Sequence, residues 1–197
     1  MRLGPARVES LNRLPIRAGA TQLALAGGNC RKTKFQDGKI PQLFLAALFL
    51  DAVQEGASIG FMDDLTLERA TRYWCDVADA PQGRVVLAGE DAVGTAGVVI
   101  VAPMPGETQP HRAEIAKMVV HRRARGRGLG TALMRAAEDE ARAMGKSLAT
   151  LFTRSGSDAE RLYRRLGWLK AGVIPDDSRK PDGTLCDGAV FYKRIGR

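Results

Sequence analysis

The chain has 197 residues, of which 45% are hydrophobic and 26% charged, the balance of an ordinary globular protein. Its net charge is +8, from 30 Lys and Arg against 22 Asp and Glu, which keeps a phosphorylated cofactor, a nucleic acid or a membrane surface in consideration as partners. Three widely spaced cysteines make neither a disulfide framework nor a metal-binding pair, and no apolar run is long enough to span a membrane.

The length suits one domain, which we expect to occupy residues 29–197. Residues 1–28 hold four arginines but no continuous apolar core, so we expect an N-terminal extension of uncertain role rather than a signal peptide. Unpaired cysteines favour a cytoplasmic location.

Two helices are predicted in the first half, after a short strand at 30–35. Apolar residues recur at helical spacing over 40–55, and again over 65–79, where Ala70, Trp74 and Val77 share a face. The glycine-containing apolar stretch 56–61 separates the helices and predicts a buried loop.

From residue 84 the hydrophobic period changes to two, which predicts strands. Strands are expected at 84–88, 94–101, 111–120, 147–153, 168–174 and 188–195, and helices at 131–144 and 157–166. The order α, α, β, β, β, α, β, α, β, β predicts a mixed α/β domain built around one sheet.

A glycine-rich basic run, Arg125-Gly126-Arg127-Gly128-Leu129-Gly130, lies between a predicted strand and a predicted helix. Free amides at the helix start and glycines without side chains form a cradle for a pyrophosphate. A dinucleotide turn has another spacing, and a P-loop needs a Lys that is missing before Thr131. A nucleic-acid segment would be repeated, and a basic helix start with incidental glycines is the remaining alternative.

Two motifs together resemble the GNAT superfamily of N-acetyltransferases. The run Arg125 to Gly130 fits the pattern Gln/Arg-x-x-Gly-x-Gly/Ala, and the stretch from Ala159 through Tyr163 to Gly167-Trp168 fits Ala-x-x-x-Tyr-x-x-x-Gly-aromatic. The resemblance covers about residues 30–195. Gly156-Ser157 stand where relatives often have Asn at the start of the later helix.

The chain more closely resembles the tabtoxin-resistance type of this superfamily. That likeness is carried by four short stretches of the sequence: 56–62, Arg112-Ala113-Glu114, Lys117-Met118 and Pro181-Asp182-Gly183. Phe152 replaces an Asp of that type, which favours a different amine as substrate. A role in antibiotic resistance is one reading of this likeness.

The resemblance implies a GNAT-like, mostly antiparallel sheet flanked by helices, with strands splayed at the cofactor site. It implies acetyl-CoA as cosubstrate and no metal. The implied cofactor-binding residues are Met118, Val119, Val120, Arg125, Gly126, Arg127, Gly128, Leu129, Gly130, Thr131, Ser157 and Tyr163.

For the chemistry, the resemblance implies Tyr163 as proton donor to the leaving thiolate, with a packed core tyrosine as the alternative. We predict Glu114 as the base, directly or through a water; an ordinary salt-bridged glutamate is an equal alternative. Strict alternation would put Glu114, Ala116, Met118 and Val120 on one cofactor-facing side of the strand. Ser58, Phe61 and Trp74, with Glu114, are the predicted acceptor-binding residues; Phe61 and Trp74 could equally be core.

The sequence thus predicts an enzyme that acetylates the primary amine of a small molecule, such as an amino-acid-like toxin or antibiotic, by direct transfer. A protein lysine or N-terminal acetyltransferase is one alternative; a non-catalytic acetyl-CoA-binding or nucleic-acid-binding module is another. No nucleic-acid or membrane partner is expected for the main reading. A homodimer is compatible with it.

Overall fold

The computed structural model describes residues 22–25, 28–32, 42–79 and 83–196, which form one sheet with helices on both faces. The helices are α1 (Gln42–Gln54), α2 (Leu67–Asp79), α3 (Leu129–Ala143) and α4 (Asp158–Arg165). The strands are β1 (Gln22–Leu25), β2 (Gly28–Lys32), β3 (Val85–Asp91), β4 (Gly94–Pro103), β5 (Arg112–Val120), β6 (Leu148–Arg154), β7 (Leu169–Arg179) and β8 (Leu185–Arg194).

The strand order in the sheet is β1-β2-β3-β4-β5-β6-β8-β7. Neighbouring strands are antiparallel except for β5 and β6, which are parallel. A parallel pair needs a crossover connection, and α3 supplies it. This confirms the predicted mixed and mostly antiparallel sheet.

The two faces of the sheet carry different helix pairs. Apolar residues of α1 and α2 pack with Val86, Val98 and Val119 in one core cluster. Residues of α3 and α4 pack with the opposite sides of β3, β4, β5, β6 and β8 in the other. The site described below lies where β5 and β6 meet the α3 side.

Two strands present glycines to leucine side chains of helix α3. A Cβ added at Gly89 would stand 2.6 Å from Leu129 Cδ1, and one at Gly97 would stand 2.8 Å from Leu133 Cδ1. Both distances are too short for real side chains, so only glycine allows this approach. The first turn of α3 is thereby fixed against β3 and β4.

The predicted elements agree with the described ones to within a few residues at most ends. β7 is longer than predicted and continues to Arg179, and β8 begins earlier, at Leu185. Among the described residues, β1 (Gln22–Leu25) already lies inside the segment expected to be an extension. The predicted strand at 30–35 overlaps β2, but residues 33–35 lie outside the described ones. No helix in the described part of the chain is both long and apolar enough to cross a membrane.

The start of α4 is fixed by a charged capping arrangement. Ser157 Oγ accepts a hydrogen bond from Glu160 N at 3.2 Å, and Glu160 Oε2 accepts one from Gly156 N at 2.7 Å. Glu160 Oε1 also accepts hydrogen bonds from Lys170 Nζ and Arg164 Nη2, both at 2.9 Å. Lys170, with the hydrogen bonds from Gly156 and Arg164, lowers the pKa of Glu160 to about 2.

We predict that Glu160→Gln destabilises the fold at neutral pH by about 1–2 kcal/mol, because the charge-assisted bonds to Lys170 and Arg164 are lost. Since folding lowers the pKa of Glu160 from its ordinary 4.5, its contribution is complete above that pH and disappears as the pH falls towards 2. Urea unfolding across this pH range measures the difference, which should shrink in acid.

Asp139→Asn is the matched control, because Asp139 is an exposed acid on α3 that pairs with Arg142 at i,i+3. An exposed pair of this kind contributes about 0.5 kcal/mol or less. Equal losses in the two variants would contradict the role given to Glu160.

Candidate active site

The parallel pairing of β5 and β6 stops after three residue pairs. Arg112, Ala113 and Glu114 face Leu148, Ala149 and Thr150, and the remainder of β5, from Ile115 to Val120, has no partner on β6. The two strands therefore diverge and leave one edge of β5 available for hydrogen bonding. An extended ligand with amide groups can pair with such an edge as an added strand. The predicted splaying of the strands is confirmed.

The N-terminus of α3 lies just beyond the end of this open edge. After Val120 the chain makes a short 3₁₀ turn at Arg122–Ala124 and reaches Gly128, the N-cap, which has φ +84° and no side-chain cap. The first backbone hydrogen bond of α3 runs from Ala132 N to Gly128 O at 3.0 Å. The amides of Leu129, Gly130 and Thr131 precede that bond, so they have no partner within the helix. Together with the helix dipole they favour an anion.

The arginines before α3 have different environments. Arg122 pairs with Asp51 of α1 and, at 3.0 Å, with Glu55, which directly follows α1, while Arg123 pairs with Asp91 of β3 at 2.9 Å. These two arginines hold the turn against the scaffold.

Arg125 and Arg127 are exposed and lie closer to the glycines. Arg125 Nε donates to Val120 O at 3.1 Å, and its Nη1 is 3.8 Å from Glu55 Oε2. Among the described residues Arg127 has no recorded ionic partner. Arg127 is therefore the cation of the run that is most available to a phosphate.

The ring of Tyr163 is buried, with 5% of the residue exposed, and it packs on Trp168 and Phe191 at centroid distances of 6.3 and 6.2 Å. Burial raises the pKa of its hydroxyl, which therefore stays protonated at neutral pH. Among the described residues no hydrogen-bond partner of this hydroxyl is recorded. The packing orients the ring and leaves the hydroxyl for another group.

Ser157, a predicted cofactor contact, has a structural role: its hydroxyl caps α4 and lies 3.4 Å from Thr153 Oγ1. Leu129, another predicted cofactor contact, is 4% exposed and packs in the core. Only the backbone of Leu129 can therefore reach a ligand.

The expected alternation along β5 is wrong after Ala116. Val98 pairs with Val119 and Ile100 with Ala116, so Lys117 and Met118 together stand opposite Val99 in a β-bulge. Met118 and Val120 consequently pack with the α3 side, whereas Val119 packs with the α1–α2 side.

Glu114 lies in β5 as predicted, but it does not share a face of the strand with the residues expected beside it. Ala113 and Ile115 point to the α3 side, so Glu114 faces the opposite side, as Val119 does. It therefore does not share a face with Met118 and Val120, which we had expected from strict alternation. A lysine gives no sequence signal of a bulge, so pattern analysis could not find it.

The three predicted acceptor contacts outside β5 are placed differently. Phe61 is half-buried and packs edge-on against Tyr73 at 5.4 Å, and Ser58 Oγ lies 3.9 Å from Cys186 Sγ. Trp74 is fully buried in the α1–α2 core, 4.7 Å from the ring of Phe49. Trp74 is thus a core residue and not a wall of the acceptor pocket, because no part of it reaches the surface.

An open cavity of about 800 Å³ lies between the end of α1 and the β7–β8 hairpin. Its lining carries charges of both signs, from Arg154 and Lys180 and from Glu55, Asp63, Asp182 and Asp187. Cys186 of β8 also lines it. No group of three or more His, Cys, Asp or Glu suited to a metal occurs in the described ranges.

A splayed parallel strand pair that leads into an uncapped helix N-terminus suits an extended ligand that carries both amide groups and phosphates. The model of the acetyltransferase (GNAT) family matches residues 47–168. The chain belongs to this family, which confirms the predicted enzyme class, an acyl-CoA-dependent N-acetyltransferase.

A known protein is similar to this chain in sequence, and several solved structures are similar to it in fold. An L-methionine sulfoximine/L-methionine sulfone acetyltransferase of Pseudomonas paraeruginosa is 32% identical over 142 residues, 69% of this chain and 79% of that protein. An N-acetyltransferase from Staphylococcus aureus has a TM-score of 0.70 at 17% identity, covering 86% of this chain and 99% of that one. A phosphinothricin acetyltransferase from Sinorhizobium meliloti, solved with acetyl-CoA, has a TM-score of 0.69 at 17% identity, covering 86% and 89%.

We predict that Gly128→Val abolishes binding of acetyl-CoA. A β-branched side chain is strained at φ +84° and stands where an anion approaches the amides of α3. Calorimetric titration of the variant with acetyl-CoA measures the loss.

Gly145→Val is the matched control, because Gly145 follows the C-terminal end of the same helix at φ +73° and also has open space around its Cβ position. It should lose stability but keep its affinity for acetyl-CoA. If both variants bind as the wild type does, the cradle is misplaced.

Proposed function

We propose that the protein transfers the acetyl group of acetyl-CoA directly to the primary amine of a small, amino-acid-like molecule. The observation that carries this proposal is the continuity of the open β5 edge with the uncapped start of α3. The edge suits the amide-containing arm of the coenzyme, and the helix start suits its pyrophosphate. Among these contacts we propose the backbone of Met118, Val119 and Val120 and the run from Arg125 to Thr131.

The acceptor class is supported by the 32% identical relative, whose name gives methionine sulfoximine and methionine sulfone as its substrates. A small acceptor also fits the α1–α2 loop, residues 56–62. Arg154 Nη1 donates to Gly56 O at 3.1 Å and Lys117 Nζ donates to Ile59 O at 2.6 Å, so the loop is tied to both β6 and β5. A loop tied down across the diverging strands leaves less room for a polypeptide than an open groove would.

The proposed chemistry requires one group that accepts a proton from the amine and another that donates a proton to the leaving thiolate. The amine must lose a proton before its nitrogen can attack the acetyl carbonyl, and we propose Glu114 as the acceptor of that proton, directly or through a water. The new carbon–nitrogen bond forms as the carbon–sulfur bond breaks, and the thiolate takes a proton from Tyr163. The nitrogen gives up its second proton as the amide forms, and that proton restores the Tyr163 hydroxyl, so the one proton held by Glu114 is the net proton released. Burial raises the pKa of Tyr163, so its hydroxyl carries a proton before the reaction begins.

A nucleic-acid-binding module is disfavoured by the ion pairs of the arginine cluster. Arg122 and Arg123 already face Asp51 and Asp91, so a large part of the local positive charge is neutralised within the protein. Binding driven by phosphates depends on unpaired cations.

Calorimetry with acetyl-CoA, followed by a thiol-release assay over an amine panel, tests the proposed function. The panel contains L-methionine sulfoximine, L-methionine sulfone, phosphinothricin, a polyamine and a lysine-containing peptide. We expect micromolar or tighter binding of acetyl-CoA and amine-dependent thiol release with an amino-acid-like compound. Absence of binding contradicts the proposal, binding without turnover indicates a regulatory ligand, and turnover of the peptide alone indicates a protein acetyltransferase.

We predict that Tyr163→Phe lowers kcat by about 10² or more, a typical loss for one proton-transfer group. The phenylalanine ring retains the packing on Trp168 and Phe191, so stability and acetyl-CoA affinity should be nearly unchanged. Steady-state kinetics with the amine found in the panel, alongside calorimetry, separate the two effects. An unchanged kcat removes Tyr163 from the reaction.

We also propose that two copies of the chain pair through the exposed side of β7. This edge strand carries Leu169, Val173 and Ile174, which are 56%, 43% and 45% exposed. Apolar side chains on an exposed edge favour association with another chain. Light scattering measures the mass in solution, and a monomer at all concentrations contradicts the pairing.

A further inference from the structure

Lys117 has a backbone conformation that its side chain disfavours. Its φ is +51°, in the left-handed region, at the bulge in the middle of β5. For a residue other than glycine this costs on the order of 1 kcal/mol, and such strain persists only where surrounding contacts impose it. A glycine would adopt this φ without strain. Contacts of the lysine side chain must therefore offset the free-energy cost of the strained backbone.

The ammonium of Lys117 contacts one loop and the helix that follows it. Nζ donates to Ile59 O at 2.6 Å and lies 5.8 Å from the ring centroid of Phe61 and 5.7 Å from that of Tyr73. Both distances are in the range of cation–π attraction. A Cβ added at Gly60 would stand 3.0 Å from Nζ, so the loop backbone passes directly over the ammonium.

Burial lowers the pKa of Lys117, and the nearby carboxylate of Glu114 opposes that shift. The ammonium is thus largely enclosed by the loop and by rings of the α1–α2 side. Its charge is stabilised by the Ile59 carbonyl, two aromatic faces and Glu114 rather than by bulk water alone.

The same bulge sets the direction of the strand beside the splay. Immediately after Lys117, Met118 turns to the α3 side and begins the part of β5 that we propose for the coenzyme. Lys117, which contacts the α1–α2 loop, is therefore adjacent in sequence to the first residue of the part of β5 proposed for the coenzyme.

We propose that Lys117 is a positioning residue that fastens the α1–α2 loop to the bulge of β5, so that the amine acceptor and the acetyl group meet in one geometry. This inference rests on the proposed function for its kinetic consequence. The fastening itself does not depend on which amine is acetylated.

Three variants separate the ammonium from the backbone strain. Lys117→Met keeps a long buried side chain without charge or donor, Lys117→Gln keeps a donor without charge, and Lys117→Gly relieves the strain but removes all contacts. Lys146→Met is the control, because Lys146 Nζ also donates to a backbone carbonyl, that of Pro110 at 2.7 Å.

Three measurements are made on each variant of the chain. Hydrogen exchange reports the protection of the amides in residues 56–62, with β6 as an internal reference. Calorimetry with acetyl-CoA and steady-state kinetics with L-methionine sulfoximine report the two substrates separately.

We expect Lys117→Met to raise loop exchange and to raise the KM for L-methionine sulfoximine about tenfold, which corresponds to roughly 1.4 kcal/mol of lost interaction. Acetyl-CoA affinity and exchange in β6 should be nearly unchanged. Lys117→Gln should recover part of the loss, Lys117→Gly should resemble Lys117→Met, and Lys146→Met should behave as the wild type does.

Unchanged loop exchange in Lys117→Met overturns the proposal, as does an equal loss of acetyl-CoA affinity, which would indicate general structural damage. If the wild-type enzyme acetylates no amine of the panel, the proposed function fails, and the exchange measurement decides the fastening on its own.

Discussion

The early separation of β5 from β6 is the constraint on which the rest of the site depends. Three residue pairs hold the parallel strands together, and beyond them one edge of β5 is exposed. The crossover helix of a parallel pair starts where the first strand ends, so the N-terminus of α3 lies at the mouth of the gap. Because the edge and the helix start are consecutive in the chain, one stretch of backbone can bind both the amides and the phosphates of one extended ligand.

The close approach of α3 to the sheet keeps this arrangement rigid. Gly89 and Gly97 receive Leu129 and Leu133, so the helix start cannot shift without a clash or a void. The ion pairs of Arg122 and Arg123 hold the preceding turn from the side of α1 and β3. The arginines before α3 therefore divide into two pairs: Arg122 and Arg123 stabilise the turn, whereas Arg125 and Arg127 remain exposed.

Most of the fold could be predicted from the sequence because its helices and strands have clear hydrophobic periods, and the two motifs identified the family. The bulge at Lys117 could not, because counting by twos assumes an unbroken strand and lysine is not a residue that marks a positive φ. Strict alternation, which ignores the bulge, places Glu114 and Met118 on the same face of β5, whereas they lie on opposite faces. Trp74 shows the same limit, since spacing placed it on the apolar face of α2 but could not tell a core position from a pocket wall.

The tryptophan in the second motif has a structural reason that the pattern alone did not give. Trp168 Nε1 donates to the buried carboxylate of Glu138 on α3 at 2.9 Å, and Lys193 of β8 donates to both oxygens of that carboxylate at 2.8 Å. A phenylalanine has no N–H group and would leave this network one donor short. The network holds the C-terminal end of α4, as Glu160 holds its start.

Helix α4 is therefore fixed at both ends by buried carboxylates, Glu160 at the start and Glu138 beyond the end, each paired with a lysine from the sheet. Tyr163 lies between them and is oriented by packing on Trp168 and Phe191 rather than by a hydrogen bond of its own. A hydroxyl that is placed by its neighbours keeps its hydrogen-bonding capacity for a ligand. This division between residues that orient the ring and a hydroxyl left free to react suits the role that we propose for Tyr163, proton donor to the leaving thiolate.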